Sequence, residues 1–172
     1  MHPSAARSAF ILPTFALAAL LTGCGATGAA RTASDLDQAN LLAARDAYFA
    51  AWTKGPGPFD MAALERVCDN TSTFLSFDAI SPSTTIIRGW GAYAGIWSQA
   101  LAGYTSASLT PDEHLAAFMT GHSAWTASLA RVNGTLPDGT VLDVPVHVTL
   151  VWQLHGREWR IVHEHVSAPV RR

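Results

Sequence analysis

Gly156-Arg157-Glu158-Trp159-Arg160-Ile161-Val162-His163-Glu164-His165-Val166-Ser167 reads as a turn feeding an extended strand. Side chains alternate faces along a strand, which predicts Trp159, Ile161, His163, His165 and Ser167 on one face and Arg160, Val162, Glu164 and Val166 on the other. A strand apolar enough to be buried, yet carrying two imidazoles and a hydroxyl on one side, either lines a pocket or settles into a hydrogen-bonded core.

Working outward, the turn His155-Gly156-Arg157 joins this strand to the run Val141 to Leu154, and Leu136-Pro137-Asp138-Gly139 joins that run to a long one, Leu115 to Val132. Both turns carry hairpin chemistry and predict an antiparallel meander, with Gly121 as a bulge or bend in the long run. Tyr104 to Leu109 is a further candidate strand. Upstream, Ser34 to Lys54 shows an apolar helical face (Leu36, Leu41, Ala44, Tyr48, Ala51, Trp52) that Gly55-Pro56-Gly57-Pro58 ends. Asp60 caps a second helix to about Val67, strands are expected over Thr71 to Ile80 and Thr84 to Arg88, and a third helix runs from Trp90 to Leu101. About three N-terminal helices ahead of a strongly curved, mainly antiparallel sheet define an α+β domain, a cone with an interior.

The 172 residues are 49% hydrophobic, enough for one domain with a sizeable core. The formal net charge is -2 and the basic residues are scattered, so a nucleic-acid partner is excluded. At the front, Arg7, the apolar run Phe10 to Leu21 and then Leu21-Thr22-Gly23-Cys24 look like the leader and lipobox of a bacterial lipoprotein. That reading makes residues 1–23 a removed signal peptide, Cys24 the lipidated terminus, residues 24–34 a flexible tether and residues 35–172 the domain. It places the protein in the cell envelope, facing the periplasm and held to the membrane by lipid alone, with Gly25 after the cysteine weakly favouring the outer membrane. Cys68 then has no intrachain partner.

Tyr48-Phe49-Ala50-Ala51-Trp52, the strand Phe74 to Asp78, Gly89-Trp90 followed by Tyr93 and Trp97, and above all Gly156 to Ser167 together resemble the SnoaL-like, ketosteroid-isomerase-homologue branch of the NTF2-like superfamily. The resemblance covers about residues 36–170. It implies a cone-shaped α+β barrel with a pocket between the helices and the concave sheet, and homodimerisation through the outer face of the sheet. It implies no single reaction, because the fold hosts isomerases, cyclases, hydratases, binders and assembly modules.

His163 and His165, two apart on one strand, lie about 7 Å apart and can touch one bound molecule with side chains that exchange protons near neutrality. Asp78 ends an apolar strand, where burial would raise its pKa and suit it to act as a general base; a turn carboxylate is the simpler reading. These are the catalytic candidates. Trp52, Phe74, Tyr93, Trp97 and Trp125, with His147 and Ser167, are the candidate pocket lining. Glu164 is expected on the opposite face, paired with Arg131 or Arg160. No resident metal is assigned; the alternative is a zinc site built from His163 and His165 with His147 or His122. Phosphate-loop, dinucleotide, nucleophile-elbow and Cys-x-x-Cys motifs are absent, and no organic cofactor is expected. The expected function is binding of a small hydrophobic or carbonyl-bearing molecule; if the site is catalytic, its chemistry is isomerase- or hydratase-type proton transfer. The rival is a non-catalytic dimerisation or assembly module.

Overall fold

The computed structural model describes residues 33–82 and 84–169. The leader, Cys24 and nearly all of the tether lie outside these residues. Helix α1 (Ala33–Ala51) buries Leu41, Tyr48 and Phe49 from its apolar face, and Asp60 caps α2 (Met61–Glu65) by accepting from the Ala63 N–H at 3.2 Å. Strands β1 (Leu75–Asp78) and β2 (Ile86–Arg88) form a short antiparallel pair, and α3 (Trp90–Ala102) follows with Tyr93, Trp97 and Leu101 buried four residues apart. Gly89 opens α3 at φ +80, a conformation that costs a side-chain-bearing residue energy. Strands β3 (Ser106–Thr120), β4 (Ser123–Thr135), β5 (Val141–His155) and β6 (Glu158–Ser167) make the expected meander. The six strands lie in the order β2-β1-β6-β5-β4-β3, antiparallel throughout except where β1 runs parallel to β6.

Strands β1 and β2 are shorter than the expected Thr71 to Ile80 and Thr84 to Arg88, and the longest expected strand is divided. Leu115 to Val132 is not a single strand: Gly121, at φ +55, makes a two-residue turn with His122, and Thr120 pairs with Ser123. The chain upstream of the turn joins Ser106 to Thr110 in one long edge strand, which accommodates Pro111 because its pairing is irregular between Pro111 and Glu113.

The second difference decides the site. Val151 pairs with His163 while Trp152 pairs with Ile161, so Val162 is an extra residue in β6. A bulge of this kind reverses the alternation beyond it. Trp159 and Ile161 face the helices before the bulge, and Glu164 and Val166 face them after it. The inner sheet face also carries Val146, Val148, Leu150 and Trp152 from β5, and Trp159 Nε1 ties β6 to the Asp37 carbonyl of α1 at 2.9 Å. Lys54 closes the end of α1 onto β3, its backbone bridging to Ala107 and its ammonium donating to the Tyr104 carbonyl at 2.7 Å. Among the described residues no helix is long and apolar enough to cross a membrane.

Candidate functional site

Because of the bulge, the pairing Ser76 with Glu164 brings a hydroxyl beside a carboxyl on the inner face. Glu164 is fully buried and accepts from three hydroxyls: Tyr48 at 2.6 Å, Ser76 at 3.0 Å and Tyr93 at 2.9 and 3.0 Å to its two oxygens. One side chain thus stitches α1, α3, β1 and β6 together. The Tyr48 contact has the length of a charge-assisted bond. Burial pushes the Glu164 carboxyl above its ordinary range, against the three hydroxyl donors that pull it down. The two phenols are raised in turn, first by burial and then by the Glu164 charge, and the buried thiol of Cys68 for the same reasons.

Tyr48 also faces a cavity. Its wall consists of Tyr48, Trp52, Asp78, Ile80, Trp97, Leu101, Ala107, Ser108, Leu109, Val132 and Val166, around a volume of about 50 Å³. Five of these residues, Ile80, Trp97, Leu101, Ala107 and Val132, also line an adjoining outer chamber of about 180 Å³ with Pro82, Ala100, Tyr104, Asn133 and Leu142. The inner space takes a few water-sized groups, and the chamber beside it has room for a small molecule.

Asp78 is the carboxyl on that wall. It is 2% exposed, and its Oδ1 accepts from the Ile80 N–H at 2.9 Å. Burial, reinforced by the nearby Glu164, pushes its pKa from 3.8 to about 7 against the bonds from the Ile80 and Ser81 backbone. Half-protonated near neutrality in apolar surroundings, it can give a proton or take one. Both sequence readings of Asp78 meet here, since the turn contact and the buried carboxyl coexist.

The remaining candidates divide by face. Trp52 and Trp97 line the cavity and touch edge to face, with ring centroids 5.1 Å apart. Phe74 and Tyr93 stand behind it, their rings 4.9 Å apart, with Tyr93 engaged on Glu164. His163 and His165 do not face the cone. Their partners in register are Leu75 and Phe77 on the outer side of β1; His163 Nδ1 lies 2.9 Å from the Leu75 carbonyl, and both imidazoles meet the edge or face of Phe77. His147 is exposed on the same outer face, paired with Ser167, and Trp125 stacks on Phe118 there. Among the described residues no group of three or more His, Cys, Asp or Glu side chains is placed to hold a metal. The pairing expected for Glu164 is also corrected: Arg131 bonds Asp143 at 2.8 Å, and Arg160 bonds Glu158 at 2.6 Å and the Glu65 and Arg66 carbonyls. The roles of Glu164, Ser76 and Tyr48 escaped the sequence reading. The signal was a change of phase within β6, apolar at Trp159 and Ile161 and then at Val162 and Val166.

Solved structures share this cone. An NTF2-like superfamily protein from Salmonella enterica serovar Typhimurium superposes with a TM-score of 0.68 at 18% identity, covering 81% of this chain and 95% of that one. An NTF2-like family protein from Streptomyces avermitilis, named as a candidate dehydratase, gives 0.64 at 14% identity over 80% and 99%. The CaMKII hub of S. rosetta gives 0.59 at 18% identity over 76% and 95%. At these identities the likeness concerns the fold. No curated protein matches the chain. The family model described as the SnoaL-like domain matches residues 43–171, from the middle of α1 through β6 and thus through both Tyr48 and Glu164. On that match the chain belongs to the SnoaL-like domain family, and its six-stranded cone has the fold of NTF2-like proteins.

Proposed function

We propose that the protein binds a small, mainly apolar molecule in the cone and moves a proton on it through Asp78, as an isomerase or hydratase would. The carrying observation is a carboxyl only 2% exposed on the wall of an otherwise apolar cavity and titrating at about 7. Structural ion pairs hold most buried carboxylates; Asp78 instead has backbone donors on one side and the cavity on the other. Proton abstraction beside a carbonyl needs a base of this kind, close to neutral in pKa and shielded from water. Tyr48, whose proton is engaged on Glu164, fixes the opposite wall. The candidate-dehydratase neighbour fits acid-base chemistry in such a cone.

The test is deuterium uptake from D2O at the carbon beside the carbonyl across a panel of small apolar ketones. The expected result is uptake that falls about a hundredfold or more in Asp78→Asn, the usual scale for a lost general base. No uptake with any ketone, or equal uptake in the variant, would sink the reading.

A second reading concerns the outer sheet face and is compatible with the first. We infer that this face pairs with a second copy of the chain. Ile86, Phe77, Trp125 and Phe118 are 48%, 39%, 41% and 53% exposed there, four large apolar side chains on one face. The hub and association domains among the structural neighbours are built on the same cone. With the leader reading of residues 1–23 and Cys24, the proposed setting is the periplasmic side of a bacterial envelope, with the domain tethered by lipid.

A further inference from the structure

Among the described residues, three buried side-chain polar atoms have no hydrogen-bond partner: Trp52 Nε1, Trp97 Nε1 and Ser81 Oγ. Two of the three belong to residues of one cavity. Trp52 and Trp97 line the inner cavity, and Ser81 directly follows Ile80, which lines it too. Two other buried indoles are satisfied: Trp152 donates to Thr126 at 3.1 Å and Trp159 to the Asp37 carbonyl at 2.9 Å. A buried donor left unpaired is costly, and folded proteins carry few. Two unpaired indole donors on the residues lining one cavity point to a polar atom that the chain does not itself supply.

The two indoles are not equivalent. Trp52 Nε1 comes near the Tyr48 hydroxyl without reaching bonding geometry, and that hydroxyl is itself held by Glu164. Trp97 Nε1 has no hydrogen-bond partner, and the residue lines both the inner cavity and the outer chamber.

Resting on the reading that the cone binds a small apolar molecule, we propose that Trp97 is the polar anchor of the cavity and that its indole N–H donates to a carbonyl oxygen of the ligand. The donor's chemistry selects the class. An indole N–H only donates, so an amine or ammonium would set donor against donor. A hydroxyl would bring a second proton whose nearest acceptor is the Asp78 carboxyl, the group the proposed proton transfer already occupies. A carboxylate would carry a full charge into the same apolar space beside Asp78. A neutral carbonyl on an apolar ring or chain meets the Trp97 donor and brings neither a charge nor a proton of its own.

The experiment compares cyclohexanone with methylenecyclohexane, which has the same shape but carries CH2 where the ketone has oxygen. Binding to the folded chain is followed through the indole N–H signals in proton–nitrogen correlation spectra of tryptophan-labelled protein. Cyclohexanone is expected to bind about tenfold tighter than the hydrocarbon and to move downfield one indole signal, identified by its loss in Trp97→Phe. In that variant the two probes should bind within threefold of each other. Equal affinities in the unaltered protein with the Trp97 signal unmoved, or a preference that survives Trp97→Phe, would overturn the anchor while leaving cavity binding intact. Failure of both probes to bind would overturn the anchor and the ligand reading together. Should Trp97→Phe not fold, the Trp97 signal is assigned by sequential correlations in the uniformly labelled, unaltered protein, and the pair of probes then decides.

Discussion

At the scale of single residues, the molecule hinges on two carboxyls in different surroundings. Glu164 meets three hydroxyls from three other elements, and Asp78 meets two backbone amides and a cavity. Glu164→Ala would strand the Tyr48, Ser76 and Tyr93 hydroxyls in the core and is expected to cost about 3 kcal/mol or more in urea unfolding at pH 7, whereas Tyr93→Phe, removing one donor, should cost about 1.5 kcal/mol. Near-equal losses would show that the network does not hold the helices to the sheet. Asp78 gives a pH signature. Its folded pKa of about 7 lies above the ordinary 3.8, so the folded chain keeps a proton that the unfolded chain releases. The stability from this group is therefore complete below 3.8 and is lost as pH rises to about 7, at up to about 1.4 kcal/mol per pH unit. Asp78→Asn, which keeps the oxygen that accepts from Ile80, should flatten this slope. Urea midpoints measured from pH 4 to 8 check it, and a slope unchanged in the variant would contradict the assignment.

At the scale of elements, β6 shows what was legible in the sequence and what was not. Turn chemistry at Leu136 to Gly139 and at His155 to Arg157 set the meander, and helical spacing set the buried faces of α1 and α3, because each signal is local. The first strand was legible to its faces: Phe74, Ser76 and Asp78 are inside, and Phe77 is outside. The extra residue at Val162 is not a local property. It is fixed by where β5 and β1 flank β6, and it sends His163 and His165 outward while turning Glu164 in. Even a correct strand assignment thus put the titratable groups on the wrong side. The partners of Glu164 lie 71, 88 and 116 residues away in sequence, beyond any spacing rule. Deleting Val162 would restore regular alternation and drive Glu164 and Val166 outward, so the expected outcome is loss of the cooperative thermal transition; a variant that melts like the unaltered protein would show that the bulge is dispensable. Gly89 sets the other key element. A Cβ there would meet the Ser72 backbone at 3.5 Å, ordinary contact, so the cost of Gly89→Ala comes from φ +80 and is about 1–2 kcal/mol, read as a lowered melting temperature.

At the scale of the whole molecule, the sheet separates two functions. Its concave side, under the helices, holds Asp78, Trp97 and the Glu164 network. Its outer side carries a row in register from Leu75 through His163, Val151 and Trp125 to Phe118, with Ile86, Phe77 and His165 alongside. A self-complementary face of this kind suits a two-fold pair, in which the same aromatic patch meets itself. Buried aromatics at the centre of such an interface carry most of its energy, so a charge placed there is costly on both copies at once. Sedimentation of the domain over a range of concentrations is expected to show a dimer, and Trp125→Glu or Phe77→Glu should weaken it about a hundredfold or more. Since Trp125 lies across the sheet from the cavity, Trp125→Glu should leave cyclohexanone binding within about threefold of the unaltered protein, a change worth less than about 1 kcal/mol. A monomer at every concentration would remove the self-association reading alone. Ligand binding that collapses together with the dimer would instead show that the second copy shapes the cone, joining the two faces that the fold holds apart.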